Sequence, residues 1–282
     1  MYRFQGKVAL VTGAARLRGI GHSTAIRFAR EGANVVVNGR YRPPEEFPEE
    51  EKLEAWKGLD SVVAEIEAQG VKGLGITADI SDRKQVQDMV DKTIAEFGRI
   101  DFLVANAGIN IRKPFLEFRE EDWHQVLAVN LSGVFFCCQA VARKMVEQGE
   151  GGAIVNVSSR AGKMGIANYA AYCASKFGVN GLTQVLAIEL GPHNIRVNAV
   201  CPGRTITNIV FADKVWKVAR DKGVDIMEAS KEVYSDWVPV TPLRRAALPE
   251  EIANTIVFLC SEEASFITGQ SINVNGGRLT AH

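Results

Sequence analysis

The sequence predicts an α/β fold: a single doubly wound domain over residues 1–282, with about seven parallel strands and helices on both faces. Three observations carry this. Short runs rich in valine and isoleucine alternate with helix-length amphipathic segments, the pattern of buried parallel strands and their crossovers. The first strand ends in a glycine-rich turn that opens a helix. The 282 residues are 46% hydrophobic and 23% charged, an ordinary globular composition with enough apolar material for a large core.

In chain order, strands are expected at Lys7–Thr12, Asn34–Asn38, Lys72–Ala78, Ile100–Ala105, Ala153–Ser158, Arg196–Cys201 and Ser271–Val274. Helical patterns lie between them at His22–Glu31, Leu59–Ala68, Arg83–Phe97, Glu121–Gln148, Ala170–Leu190 and Glu250–Cys260. Two segments break the rhythm. Residues 41–57 hold Pro43, Pro44, Pro48 and a run of glutamates, and read as an acidic, solvated insertion; a flap near a cofactor's adenosine end, or a subunit contact, is the sharper reading. Residues 206–241 carry Phe211, Trp216, Met227, Tyr234 and Trp237 among many charges, which suggests a lid over a substrate.

Lysine plus arginine and aspartate plus glutamate both total 33, so nothing points to nucleic acid or an anionic membrane as partner. The start of the chain has no signal-peptide pattern, and no apolar run reaches the ~18 residues expected of a membrane span. Cys137, Cys138, Cys173, Cys201 and Cys260 include no Cys-x-x-Cys pair; they read as reduced thiols of a cytoplasmic protein. The four histidines lack metal-ligand spacing.

Thr12-Gly13-Ala14-Ala15-Arg16-Leu17-Arg18-Gly19-Ile20-Gly21 places bare backbone N–H groups and a helix N-terminus where a dinucleotide's pyrophosphate is held. At the end of the second strand, Asn38-Gly39-Arg40 offers a guanidinium and no acid. With Arg16 and Arg18 nearby, this favours NADP, whose 2′-phosphate suits such donors, with NAD as the alternative. Glutamates of the insertion folding over this pocket would count against NADP.

Of the five tyrosines, Tyr172 alone has a lysine four residues on, Lys176, so the two share a helix face. A neighbouring ammonium favours the phenolate and lowers the phenol's pKa, which suits proton exchange with an alcohol or ketone oxygen. Ser158-Ser159 ends one strand, Asn106-Ala107-Gly108 ends another, and Asn130 falls in a helix-length segment. All gather near the carboxyl ends of strands, where α/β sites form.

With these motifs in this order, Asp79-Ile80 between the glycine-rich turn and Asn106, and Pro202-Gly203 and the closing Asn273-Val274-Asn275-Gly276-Gly277 after Lys176, the chain resembles the short-chain dehydrogenase/reductase family from Lys7 to Gly277. The resemblance implies a Rossmann fold and an NADP-preferring alcohol dehydrogenase or ketone reductase. It implies Tyr172 as catalytic acid/base and Ser159 as holder of the substrate oxygen. Lys176 would bind the nicotinamide ribose and lower the phenol's pKa, and Asn130 would hold a water that links Lys176 to solvent. Asp79 and Ile80 would flank the adenine, Asn106 the adenosine ribose, and Thr207 the nicotinamide amide. Gly13, Gly19, Ile20, Gly21 and Gly39 would line the cofactor, with Ala107, Gly108, Pro202, Gly203 and Thr205. Arg18 and Arg40 match common NADP positions. In relatives the stretch after Ser159 lines the pocket, so Arg160 would face the substrate; it reads either as an exposed or structural arginine or as the partner of a substrate carboxylate.

The chain departs from the family pattern in having five residues between Gly13 and Gly19 where three are usual, and Ala105 for the first asparagine of Asn-Asn-Ala-Gly. The family also implies a homotetramer. Two other functions fit the same motifs: a 3-oxoacyl carrier-protein reductase, and a non-catalytic dinucleotide-binding regulator.

Overall fold

Seven parallel strands form one sheet in the order β3-β2-β1-β4-β5-β6-β7. They are β1 Val8–Val11, β2 Asn34–Gly39, β3 Gly73–Thr77, β4 Phe102–Ala105, β5 Gly152–Val157, β6 Ile195–Pro202 and β7 Ser271–Val274. The computed structural model describes residues 3–207 and 212–280; Phe211 of the expected lid and His282 lie outside them. The central strands β1 and β4 are buried along their whole length, as expected where crossover helices cover both faces. Leu10 pairs with Val36 on one side and Leu103 on the other.

One face is covered by α1 (Ile20–Arg30), α3 (Leu59–Glu67) and α10 (Pro249–Cys260), through Phe28, Ile66 and Ile256. The other is covered by α4 (Arg83–Phe97), α6 (Gly133–Gln148) and α7 (Ala170–Leu190), through Met89, Val141 and Val179. Strand order reverses between β1 and β4, which opens the crevice at their carboxyl ends. α4 has sharp ends for local reasons. The Asp82 carboxylate accepts hydrogen bonds from the N–H groups of Lys84 and Gln85, and Gly98 closes the helix in the left-handed conformation.

Three expectations need correction. The acidic segment is not a solvated loop. It forms α2 (Glu49–Leu53) and folds against the glycine-rich turn, with Glu51 fully buried and Trp56 8% exposed. The described residues of 206–241 hold α8 (Ala212–Lys222) and α9 (Ile226–Val233), around a small core of Ile206, Val215, Tyr234 and Trp237. The expected helix Glu121–Gln148 consists of α5 (Glu120–Leu127), a wide π turn at Ala128–Ser132, and α6. Because these run on without a break, Glu120–Gln148 is 29 residues long and apolar enough to match a membrane span, which the shorter apolar runs did not suggest; half of its most apolar window is buried inside the protein, as in a core helix.

Candidate active site

β1 runs into a turn that only glycine permits at two points. Gly13 has φ +67°, and a Cβ there would lie 2.6 Å from the Cα of Ala107. A Cβ at Gly21 would lie 2.5 Å from Nδ2 of Asn106. The turn is bolted to the end of β4. Thr12 Oγ1 accepts hydrogen bonds from the N–H groups of Asn106 and Ala107 at 3.0 and 3.1 Å. Asn106 Nδ2 donates to the carbonyls of Thr12 and Gly13 at 2.8 and 3.0 Å. Asn106 therefore shapes the turn with its amide. Gly19 caps α1 without any side-chain hydrogen bond, so the helix N-terminus keeps its N–H groups for an anion. The tight glycine cradle and uncapped helix fit a dinucleotide.

The insertion closes over this turn. Glu51 accepts a hydrogen bond from the N–H of Leu17 at 3.2 Å and another from Arg42. Arg16 Nη1 lies 3.5 Å from the same carboxylate. Burial pushes the Glu51 carboxyl upward, and the Arg42 charge pulls it back. Arg18 pairs with Glu54 at 2.8 Å and lies over the Trp216 ring of α8. Trp56 Nε1 donates to the carbonyl of Ala15 at 2.9 Å. Arg40 is exposed and has no ion pair among the described residues.

At the carboxyl end of β5 the chain turns through Ser159, whose Oγ accepts from the N–H of Ala161 at 3.1 Å and is hydrogen-bonded to Tyr172 in the first turn of α7. Lys176, one turn on, is 3% exposed and donates to the carbonyl of Val157 at 2.8 Å. Its ammonium lies 5.7 Å from the centre of the Tyr172 ring. Gly108 leaves room beside them: a Cβ there would lie 3.6 Å from Lys176 Nζ and 3.3 Å from Asn130 Oδ1. Asn130 sits in the π turn. Its Oδ1 accepts from the N–H of Ile109 at 2.8 Å, and its Nδ2 donates to the carbonyl of Ile109 and to Ser175 Oγ. Ser175 Oγ donates to the carbonyl of Tyr172 at 2.7 Å. Ser159, Tyr172, Lys176 and Asn130 thus come together, joined by Ser175, which no sequence signal marks.

The phenol is not acidic in this protein, contrary to the sequence expectation. Burial pushes Tyr172 up to about 12, against the pull of the Ser159 hydrogen bond. Burial likewise pushes Lys176 down to about 8. Desolvation thus dominates both groups, and at neutral pH the phenol holds its proton.

The comparisons agree with this geometry. A family model described as enoyl-(acyl carrier protein) reductase matches residues 13–278. A short-chain dehydrogenase/reductase of Armillaria gallica is 42% identical over 97% of this chain and 96% of its own length. The chain is a short-chain dehydrogenase/reductase. The 3-oxoacyl-[acyl-carrier-protein] reductase FabG of Staphylococcus epidermidis is 39% identical to this dehydrogenase/reductase over 96% of the chain and 98% of its own length. Among solved structures, carveol dehydrogenase from Mycobacterium avium, in complex with NAD, superposes with a TM-score of 0.84 at 30% identity, with each chain covered over 100%. The protein is therefore an oxidoreductase of a family whose enzymes bind a nicotinamide dinucleotide and small-molecule substrates.

Around the short-chain dehydrogenase/reductase centre, the other predicted residues divide into exposed groups and structural ones. Asp79 Oδ1 accepts from the N–H and hydroxyl of Ser81, which shapes the entry to α4. Ile80 packs on Gly133, where a Cβ would lie 2.8 Å from it. Gly39 abuts Ala15, at 2.6 Å from a Cβ built on it. Pro202 ends β6, and the N–H of Gly203 bonds the carbonyl of Val274. Thr205 bridges to Ala247, and Thr207 is buried with its N–H on the carbonyl of Thr205. Arg160 is partly buried, touches Met164 Sδ at 3.6 Å, and has no carboxylate on it among the described residues. Burial and the charges of Arg278 and Arg204 push its pKa down.

Proposed function

We propose that this protein is an NAD(P)-dependent oxidoreductase that interconverts a secondary alcohol and a ketone, with Tyr172 as general acid/base. The observation that carries the reading is the convergence of Ser159, Tyr172, the buried Lys176 and Asn130 at the carboxyl end of β5, beside a glycine turn that fits a dinucleotide. The dinucleotide supplies or accepts the hydride. In reduction, Tyr172 gives its phenolic proton to the substrate oxygen while the Ser159 hydroxyl donates a hydrogen bond to it, which stabilises the developing alkoxide. In oxidation, the microscopic reverse, the alcohol oxygen gives its proton to the phenolate form of Tyr172. Lys176 stands where it would hold the nicotinamide ribose, and Asn130 fixes the backbone of Ile109 beside it. Gly13, Gly19, Ile20 and Gly21 would cradle the pyrophosphate; Asp79, Ile80 and Asn106 would line the adenosine side. Pro202, Gly203, Thr205 and Thr207 would line the nicotinamide side.

Arg160 supports a substrate with a negatively charged group. A partly buried guanidinium beside Ser159, with two more arginines near it and no acid on it, lacks the partner that such a charge requires. The segment 206–241 is proposed as the cover of that substrate; Arg204 lies between the rings of Tyr234 and Trp237. A second reading, a 3-oxoacyl-thioester reductase, is supported by the FabG relatives. Cofactor absorbance with a panel of ketones separates the two. Turnover of ketones bearing a carboxylate, faster than of neutral analogues, is the expected outcome. Turnover confined to a 3-oxoacyl thioester supports the second reading, and no turnover of any carbonyl or alcohol supports the non-catalytic regulator.

The exposed apolar side chains of α7 and α10, Phe177, Val185, Ile188 and Phe258, support the proposed homotetramer. Light scattering at micromolar concentration is expected to report a tetramer; a monomer removes the proposal. The NADP preference rested on Arg16, Arg18 and Arg40, and Arg40 is the one of these without a carboxylate partner among the described residues.

A further inference from the structure

The acidic insertion occupies two of the three cations expected to meet a 2′-phosphate, Arg16 and Arg18. Arg16 and Arg42 converge on Glu51, a carboxylate with no exposed surface. Arg18 is held by Glu54 and flattened on Trp216. The contacts of Glu51 are interior ones on the carboxylate's side. Glu51 also takes the N–H of Leu17 inside the glycine-rich turn, and Trp56 is tied to the carbonyl of Ala15 in the same turn. The insertion is braced from behind by Arg220 of α8, which pairs with Glu50. Asp213, on the same helix, stands near Arg42 and Glu50 and adds a further negative group.

We infer that Glu51 and Glu54 are specificity-determining residues that make this site select NAD over NADP. The inference rests on the proposed dinucleotide-dependent activity and names its cofactor. A neutral 2′-hydroxyl needs no charged partner from a turn whose arginines already hold carboxylates. A 2′-phosphate brings close to two negative charges next to a buried carboxylate, and gains arginine contacts only by breaking ion pairs that also hold the turn. Discrimination thus comes from a repulsive group placed against the wrong ligand. Arg40, exposed at the end of β2, is left as a cation that a 2′-phosphate could pair, so the inferred selection requires Glu51 and Glu54 to outweigh it.

Isothermal titration of NAD and of NADP against the wild-type chain tests this directly. NAD is expected to bind at least about tenfold tighter. NADP binding as tightly or tighter overturns the inference, and binding of neither overturns the dinucleotide reading and this inference with it. In the double variant Glu51→Gln/Glu54→Gln, the preference for NAD should fall by about tenfold or more through tighter NADP binding. Because Glu51 is buried, Glu54→Gln is measured alone as well: Glu54 is half exposed, and its loss frees Arg18 without disturbing the interior. An unchanged NAD-to-NADP ratio in folded Glu54→Gln and in the double variant overturns the inference.

Discussion

Tyr172→Phe is expected to lower kcat by about three orders of magnitude, within the range that positioned acid–base groups supply, while leaving cofactor affinity within about twofold. The substitution removes one hydroxyl and nothing else. The ring keeps its edge-to-face contact with Tyr169 at 6.0 Å, and Ser159 keeps the N–H of Ala161. The lost hydrogen bond to Ser159 costs about 1 kcal/mol of stability, so thermal melting should change little. Because burial holds the phenol near 12, the wild-type hydroxyl is a proton donor across the neutral range. What the variant loses is therefore the proton delivered in ketone reduction. Steady-state rates together with cofactor titration check this. A Phe variant with near wild-type kcat would remove Tyr172 from the chemistry.

Lys176→Met separates stability from activity. Burial lowers the ammonium from 10.5 to about 8, so holding it charged below pH 8 costs the fold about 3 kcal/mol relative to a neutral side chain. Between pH 8 and 10.5 the unfolded chain binds a proton that the folded chain does not. Wild-type stability from this group therefore rises with pH through that window and is flat below it. Methionine has no such dependence. The variant should lose about 100-fold or more in kcat, yet melt no lower than wild type at pH 7, since relief of the buried charge offsets the lost bond to Val157. From pH 7 to pH 10 the wild type should gain in melting temperature relative to the variant. A difference that stays constant over that range would mean that the lysine is not a strained buried cation.

The strands and the long crossovers were legible because their signals are local. Ala170–Leu190 and Arg83–Phe97 carry unbroken helical patterns, the second between Asp82 and Gly98, and both match the observed helices at each end. Ser271–Val274 does the same as a strand. The proposed catalytic pair was visible through spacing, since Tyr172 and Lys176 sit one turn apart. What stayed hidden depends on distant partners. Prolines and glutamates around residue 50 look solvated, and Glu51 is buried only because Arg16 and Arg42 reach it from either side of β2. The state of the phenol was misjudged for the same reason. An i, i+4 lysine is visible in the sequence, but the desolvation that outweighs it is a property of the packed interior.

The widened stretch at Ala128–Ser132 has a geometric meaning. A helix of ordinary pitch advances about 100° per residue, and a turn one residue wider resets the phase of the earlier turns relative to the later ones. α6 lines up with the sheet through Val134, Cys137 and Val141; on ordinary pitch position 130 would share that stripe, and in the widened turn its amide meets the backbone of Ile109. The added residue works as an aiming device. It lets one continuous rod satisfy the hydrophobic interior along its later half while swinging a single amide into the crevice.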